Sequence, residues 1–217
     1  MGDVIASDLE GTLTTGATWR GTGRWLEATG RRGAYRLFLV PRLPQVPLAR
    51  RGLIDAQAFR ERWVRDLTRL LAGMDAQDLR DYATWVVDHE LWPGRRAEVL
   101  EELETERRGG RRLLVASGTY QPVAAVFAER LGAEALGTLL ETRDCVTTGR
   151  IAGEIGTRSS KADAVLEAAG GAPIVRAYGD TAADIPMLEL ATEPIAVAPD
   201  QALRRVALAR GWRIVDG

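Results

Sequence analysis

The chain has 217 residues, 46% hydrophobic and 27% charged, with 29 Lys and Arg against 30 Asp and Glu for a net charge of −1. This describes one globular domain, or a domain carrying an inserted subdomain, and the near-neutral charge gives no reason to expect a nucleic-acid partner. No apolar run approaches the roughly 18 residues of a membrane span. The first strand reads directly from Met1 without a signal peptide's basic start, and the single cysteine, Cys145, excludes an internal disulfide or a Cys-rich metal site. A cytoplasmic location is the expectation.

A short apolar strand, "DVIAS", ends in "SDLEGTLT" (7–14), where Asp8 and Glu10 flank one leucine. A helix is expected over 18–30. The apolar stretch 34–48 is interrupted by prolines at 41, 44 and 47. Residues 55–73 place Phe59, Trp63, Leu67 and Leu70 on one face of an amphipathic helix, and 75–91 do the same with Leu79, Tyr82, Val86 and Val87.

Beyond residue 92 strands and helices alternate. The expected elements are a strand at 111–117, a helix at 120–132, a strand at 134–141 and a hairpin at 142–156. A helix follows at 159–171 with Ser160 as its N-cap, then a strand at 172–180, helix 182–191, strand 193–199, helix 200–211 and a last strand. This pattern predicts an α/β fold, a Rossmann-like and mostly parallel sheet with helices on both faces. Residues 15–92 break the rhythm and read as an inserted helical cap, leaving 1–14 and 93–217 as the core. Charge divides the same way. Residues 15–92 hold 13 Arg against 9 acids, net +4, and the remainder holds 16 basic residues against 21 acids, net −5. Such a cap would draw in anionic substrates, while for most of these residues a solvated helical face is the preferred reading.

Two scarcities narrow the chemistry. One histidine, His89, makes His-based triads and multi-His zinc sites poor starting points, so carboxylates become the acid–base candidates. Among 29 basic residues only Lys161 is a lysine, a compact ammonium where the chain otherwise writes planar guanidiniums. His89 and Cys145 are read as structural, the cysteine as a small core side chain.

Functional groups in an open parallel sheet gather at the C-terminal edge of the strands. Four polar clusters fall there: Asp8-Leu9-Glu10-Gly11-Thr12, then Ser117-Gly118-Thr119, then Lys161 at a helix start, and "GDTAAD" with Asp180 and Asp184. Each alone is an ordinary cap or turn. Together, in this order, they resemble the haloacid dehalogenase superfamily in its phosphoserine-phosphatase-like branch (subfamily IB). The strand followed by D-x-D-G-T-[LV] is matched by Asp8 to Leu13, the strand ending in Ser or Thr by Ser117, the lone Lys by Lys161, and GD-x-x-x-D by Gly179-Asp180 through Asp184. "IPML" and the closing "RGW" also look like this branch. The insert resembles a C1-type helical cap in position and type, though hardly in residues.

The resemblance implies a Mg²⁺-dependent phosphatase acting on a small anionic phosphorylated metabolite. Asp8 would attack phosphorus and form an aspartyl-phosphate, which water then cleaves. An Asp8 oxygen, the Glu10 backbone carbonyl and Asp180 would hold the metal, with Asp184 orienting its surroundings. Ser117 and the Gly118 N–H would hold phosphoryl oxygens, and Lys161 would neutralise charge between nucleophile and phosphate.

The second acid, Glu10, would protonate the leaving alkoxide and then deprotonate water. Most relatives carry Asp there. The extra methylene means either that the leaving group sits farther away or that the side chain folds back. This departure keeps open a phosphotransferase that passes phosphoryl to an alcohol. Two further alternatives are a phospho-accepting signalling domain, disfavoured by the large insert and by an accepting Asp on the first strand, and a noncatalytic phosphate-binding module, disfavoured by the full set of reactive groups. Phosphoserine phosphatases carry a Glu nine residues after the nucleophile, where this chain has Ala17. That argues against phosphoserine and leaves Trp19, Arg20 and Arg24 as the candidate substrate contacts of the cap.

Overall fold

The computed structural model describes residues 2–50, 53–153 and 158–216. Its first strand, β1 (Val4–Ser7), is buried along its whole length. The period-2 alternation of a strand sends Val4 and Ala6 to one side and Ile5 to the other, and each side meets a separate apolar cluster. A strand covered on both faces has no need of polar alternation, so it reads as a continuous apolar run.

Five helices follow: α1 (Thr18–Ala28), α2 (Arg32–Leu39), α3 (Gln45–Arg50), α4 (Ala56–Thr68) and α5 (Ala76–Val86). The break between α2 and α3 falls across Pro41 and Pro44, as expected, while Pro47 sits in the first turn of α3, where its missing N–H is harmless. Asp75 caps α5 by accepting the Asp78 N–H at 2.8 Å, with Asp78 returning the contact. A π-helical turn, Val87–Leu91, closes this stretch.

The chain then forms α6 (Ala97–Arg108), β2 (Arg112–Tyr120), α7 (Gln121–Glu129) and β3 (Glu134–Thr138). A short hairpin of β4 (Leu140–Arg143) and β5 (Val146–Ile151) comes next, followed by α8 (Arg158–Ala169) and β6 (Ile174–Gly179). The last elements are α9 (Ile185–Leu188), β7 (Glu193–Val197), α10 (Gln201–Arg210) and β8 (Arg213–Val215).

Six strands make one sheet in the order β3-β2-β1-β6-β7-β8, every neighbouring pair parallel. The chain winds outward on one side of β1 and returns on the other, so the switch point lies between β1 and β6. Helices α6 and α7 cover one face, and α8, α9 and α10 the other. The apolar side chains of the insert, among them Leu26, Tyr82, Val86 and Leu91, join the first cluster through Leu9, Leu13 and Tyr120. The insert therefore shares one core with that face of the sheet.

Several boundaries differ from the sequence reading. β2 runs on through Ser117, Gly118 and Thr119 to Tyr120, with a register irregularity between Ala116 and Tyr120. The expected strand 134–141 breaks at Leu139, and the hairpin starts immediately after it. Residues 154–156 of that hairpin and the side chain of Ser160 lie outside the described residues. Cys145 is exposed in the β4–β5 turn, at φ 64°, and is no core side chain. A turn position replaces the burial that its residue type suggested.

Candidate active site

The loop after β1 is tied down at both ends. The Asp8 N–H donates to the Tyr178 carbonyl of β6 at 2.9 Å, and the Gly11 N–H to Thr14 O at 2.7 Å. Leu13 and Thr14 both donate to Leu9 O, which closes a tight turn. Gly11 stands at φ 97°, and a Cβ there would lie 2.0 Å from an Asp180 carboxylate oxygen. Glycine is thus what lets the β1 loop and the β6 loop approach. Thr12 Oγ1 sits between their acids, 3.3 Å from Asp8 Oδ2 and 3.3 Å from Asp180 Oδ1.

Lys161, in the first turn of α8, closes the cluster. Its Nζ donates to Asp8 Oδ1 at 2.7 Å and to Asp184 Oδ1 at 2.6 Å. Asp184 belongs to the 3₁₀ turn after β6 and is buried; its Oδ2 accepts from the Thr181 hydroxyl and from the N–H groups of Thr181 and Asp180. Gly179 permits this fold-back, because a Cβ there would come within 2.5 Å of the Asp184 side chain. Asp200 supports the same loop by accepting the Ala182 N–H, while its own N–H donates to Asp180 O.

Oxygens of Asp8, Asp180 and Asp184 lie within 4.8 Å of one another. Burial and crowding disfavour the charged forms of Asp8 and Asp180. Burial raises the Asp8 carboxyl to about 6, with Lys161 pulling against it and Asp184 adding to it. Asp180 is raised to about 7, first by burial and then by repulsion from Asp8 and Asp184. Burial alone would lower the Lys161 ammonium, but Asp8 and Asp184 outweigh it and hold the proton more firmly than usual. An all-oxygen donor set with excess negative charge fits a hard divalent cation.

Glu10 turns away from this cluster toward α1. Its Oε1 accepts the Thr18 N–H at 3.0 Å, at the first residue of α1, where helix N–H groups lack internal partners. Thr18 Oγ1 in turn accepts from Thr119 Oγ1 at 2.6 Å. Burial raises the Glu10 carboxyl, offset in part by Thr18, Thr119 and the more distant Arg20. β2 brings the second polar cluster alongside: Ser7 pairs with Val115, so Ser117 stands two residues farther, beside the β1 loop. Ser117 Oγ accepts the Thr119 N–H, and Gly118 O accepts from Thr138.

The remaining sequence candidates lie on the first turns of α1. Trp19 is half-exposed and meets Trp63 edge-on, with ring centroids 5.7 Å apart. Arg20 and Arg24 both bind Glu90 of the π-helical turn, each at 2.7 Å. Glu90 is buried and also accepts the Ala17 N–H. His89 stacks on Trp85 and bonds to its carbonyl, a structural role.

The structure therefore joins Asp8, Lys161, Asp180 and Asp184 directly and sets Glu10 beside the Ser117–Thr119 segment. Sequence reasoning assigned no role to Thr12, Thr18, Thr119, Glu90 or Asp200. Thr12 lay inside the first motif and Thr119 in the second polar cluster; nothing local marked the other three.

Comparison with known proteins decides the family. Residues 5–189 match the haloacid dehalogenase-like hydrolases. The chain belongs to that family. The chain is similar to phosphoserine phosphatase SerB1 of Mycobacterium tuberculosis, 37% identical over 136 residues that make up 60% of this chain and 43% of that protein. The Streptomyces azureus protein named for inhibition of morphological differentiation is 34% identical over 164 residues, 72% of this chain and 58% of its own length. This hydrolase chain thus spans about half the length of such relatives. A Bordetella pertussis protein of unknown function superposes with a TM-score of 0.81 at 25% identity, covering 100% of this chain and 99% of that one. A substrate-bound phosphoserine phosphatase shares the fold, with a TM-score of 0.67, 19% identity and coverage of 99% and 93%.

Proposed function

We propose that this hydrolase is a Mg²⁺-dependent phosphatase of small organic phosphate monoesters, working through an aspartyl-phosphate on Asp8. The observation that carries the reading is the Lys161 ammonium bound to Asp8 at 2.7 Å, with Asp180 beside it across Thr12. A nucleophile so placed can face a phosphate dianion only where cations offset the repulsion. Asp8, Asp180 and the Glu10 carbonyl would hold Mg²⁺, which when bound screens the phosphate charge, and Asp184 fixes Lys161 and the β6 loop.

In the first step the Asp8 carboxylate forms a bond to phosphorus as the ester P–O bond breaks. Protonated Glu10 gives its proton to the departing alkoxide, and its raised pKa suits it to carry that proton. In the second step Glu10 takes a proton from water, the water oxygen bonds to phosphorus, and Asp8 is released with inorganic phosphate. Ser117 and the Gly118 N–H are assigned the phosphoryl oxygens, and Lys161 the charge between nucleophile and phosphorus.

The core over 1–14 and 93–217, the cap over 15–92 and a cytoplasmic location are parts of the same proposal. So is the assignment of the cap side of the substrate to Trp19, Arg20 and Arg24. Two guanidiniums on one carboxylate leave one net positive charge next to the helix turn that meets Glu10.

A phosphate-ester screen with Mg²⁺, read as released phosphate, tests the reading. Turnover should vanish in Asp8→Asn; normal turnover in that variant would place the nucleophile elsewhere. Added alcohols complete the test, since phosphoryl transfer dominating over phosphate release would make the enzyme a phosphotransferase.

A further inference from the structure

Ten large apolar side chains stand exposed among the described residues, and five of them (Leu37, Val40, Leu43, Leu48 and Leu53) fall within one short stretch of the cap. Single exposed leucines need no explanation, but a contiguous apolar patch marks a binding surface. In α2 the inward residues are Tyr35 and Phe38. At 100° per residue, Arg36, Leu37 and Val40 lie on the opposite side, Leu37 being 79% and Val40 70% exposed. The exposed side of α2 thus carries Leu37 between Arg32, Gly33 and Arg36, with Val40 at its C-cap, while the buried Tyr35 and Phe38 pack within the chain.

Charge says what could cover the other side. Residues 20–51 contain eight Arg and one Glu, although Arg20 and Arg24 are taken up by Glu90 and Arg32 by Glu27. Arg36 shares the outer face and has no ion-pair partner among the described residues, whereas Arg42 is held by Asp66. A second copy of the chain would bring a like-charged surface against this one. An anionic lipid surface offers both complements, negative headgroups for the Arg36 guanidinium and hydrocarbon for the exposed Leu37 and Val40. Among the described residues no helix is long and apolar enough to cross a membrane, and the contact considered is an interfacial one.

We propose that the outer face of α2, continued through Leu43, Leu48 and Leu53, is a docking surface for anionic lipid bilayers. It does not depend on the catalytic reading, since none of these residues belongs to the site around Asp8.

The test is flotation of the full chain with vesicles of phosphatidylglycerol and phosphatidylcholine in equal parts, against phosphatidylcholine alone. The chain should float with the anionic vesicles at low salt and be released at about 0.5 M NaCl, where screening shortens the reach of charge. Leu37→Glu with Val40→Glu should lower the bound fraction about tenfold or more. Arg36→Glu, which leaves the apolar face intact, should weaken it about severalfold. Both should keep wild-type circular dichroism and wild-type hydrolysis of a soluble aryl phosphate. Absence of anionic-vesicle binding, equal binding to both vesicle types, or binding that neither variant alters would overturn the proposal. So would a wild-type dimer that the double variant dissolves, because the face would then be a self-association surface.

Discussion

Glu10 Oε1 accepts the Thr18 N–H at 3.0 Å, so the second acid of the first motif meets the first turn of α1. The added methylene of a glutamate is what spans this gap, and the contact ties the acid to the position of α1. Thr18→Pro tests it, because proline is tolerated at the first helical position and the extended Ala17 before it suits proline as well. The variant should fold, yet lose both the N–H and the hydroxyl that meets Thr119. A hydrogen bond to a charged group is worth about 1.5–3 kcal/mol, so turnover of alkyl phosphates should fall about ten- to a hundredfold. Activated aryl phosphates, which need less leaving-group protonation, should suffer less. Equal losses on both would separate the contact from proton delivery.

Lys161 occupies a space set by two carboxylates, at 2.7 Å from Asp8 and 2.6 Å from Asp184. Lys161→Arg keeps the charge but replaces a point donor with a longer planar fork, and must displace one of the two acids. Turnover should drop about a hundredfold or more, as for removal of a preorganised charge in other sites. Wild-type activity in this variant would show that charge alone is needed.

The clustering of Asp8, Lys161, Asp180 and Asp184 was legible because the acids lie in short motifs at strand ends, and the sole lysine stood out by residue type. The parallel sheet was legible from alternation of apolar strands and helices. What escaped was carried by groups without a local signature. The Thr18 contact with Glu10 uses a backbone N–H, and Glu90 meets Arg20 and Arg24 across some seventy residues of chain. The continuation of β2 to Tyr120 was hidden by Gly118, a residue that reads as a break but here sits inside an irregular strand end.

The raised carboxyls predict how the metal-free protein responds to pH. Asp8 at about 6 and Asp180 at about 7 stand above the ordinary aspartate value of 3.8. A folded state that holds protons more tightly than the unfolded chain has its advantage below about pH 4 and loses it as pH rises through 6 and 7. In chelator, Tm should therefore fall across that window by more in wild type than in Asp180→Asn. Mg²⁺ should cancel the fall, since binding to the folded state alone stabilises it. Calorimetry with and without metal decides, and a metal-free Tm insensitive to Asp180→Asn would refute the argument.

Gly11 and Gly30 both have positive φ, at 97° and 76°, but differ in what surrounds them. A methyl at Gly30 meets nothing within 4 Å, so Gly30→Ala should cost about 1–2 kcal/mol of backbone strain and leave activity intact. A methyl at Gly11 would collide with the Asp180 carboxylate and push the β1 and β6 loops apart. Gly11→Ala should lose activity and weaken Mg²⁺ affinity beyond any shared loss in Tm. Matching phenotypes for the two would mean that conformation, and not the approach to Asp180, explains the glycine.

Glu90 decides what Arg20 and Arg24 can do. Its carboxylate is 5% exposed, while the arginine side chains are 42% and 61% exposed, so solvent weakens both ion pairs. Arg24→Ala should therefore change Tm little. If Arg24 also faces the substrate, its loss removes charge from the entrance and should raise KM a fewfold for anionic leaving groups with kcat unchanged. Glu90→Gln should act differently. It leaves two guanidiniums facing each other beside the Ala17 N–H and loosens the turn that precedes Thr18. Tm and kcat should fall together, because Glu10 loses its fixed partner when α1 shifts. A rise in KM alone for Glu90→Gln would instead make Glu90 a direct reader of the substrate.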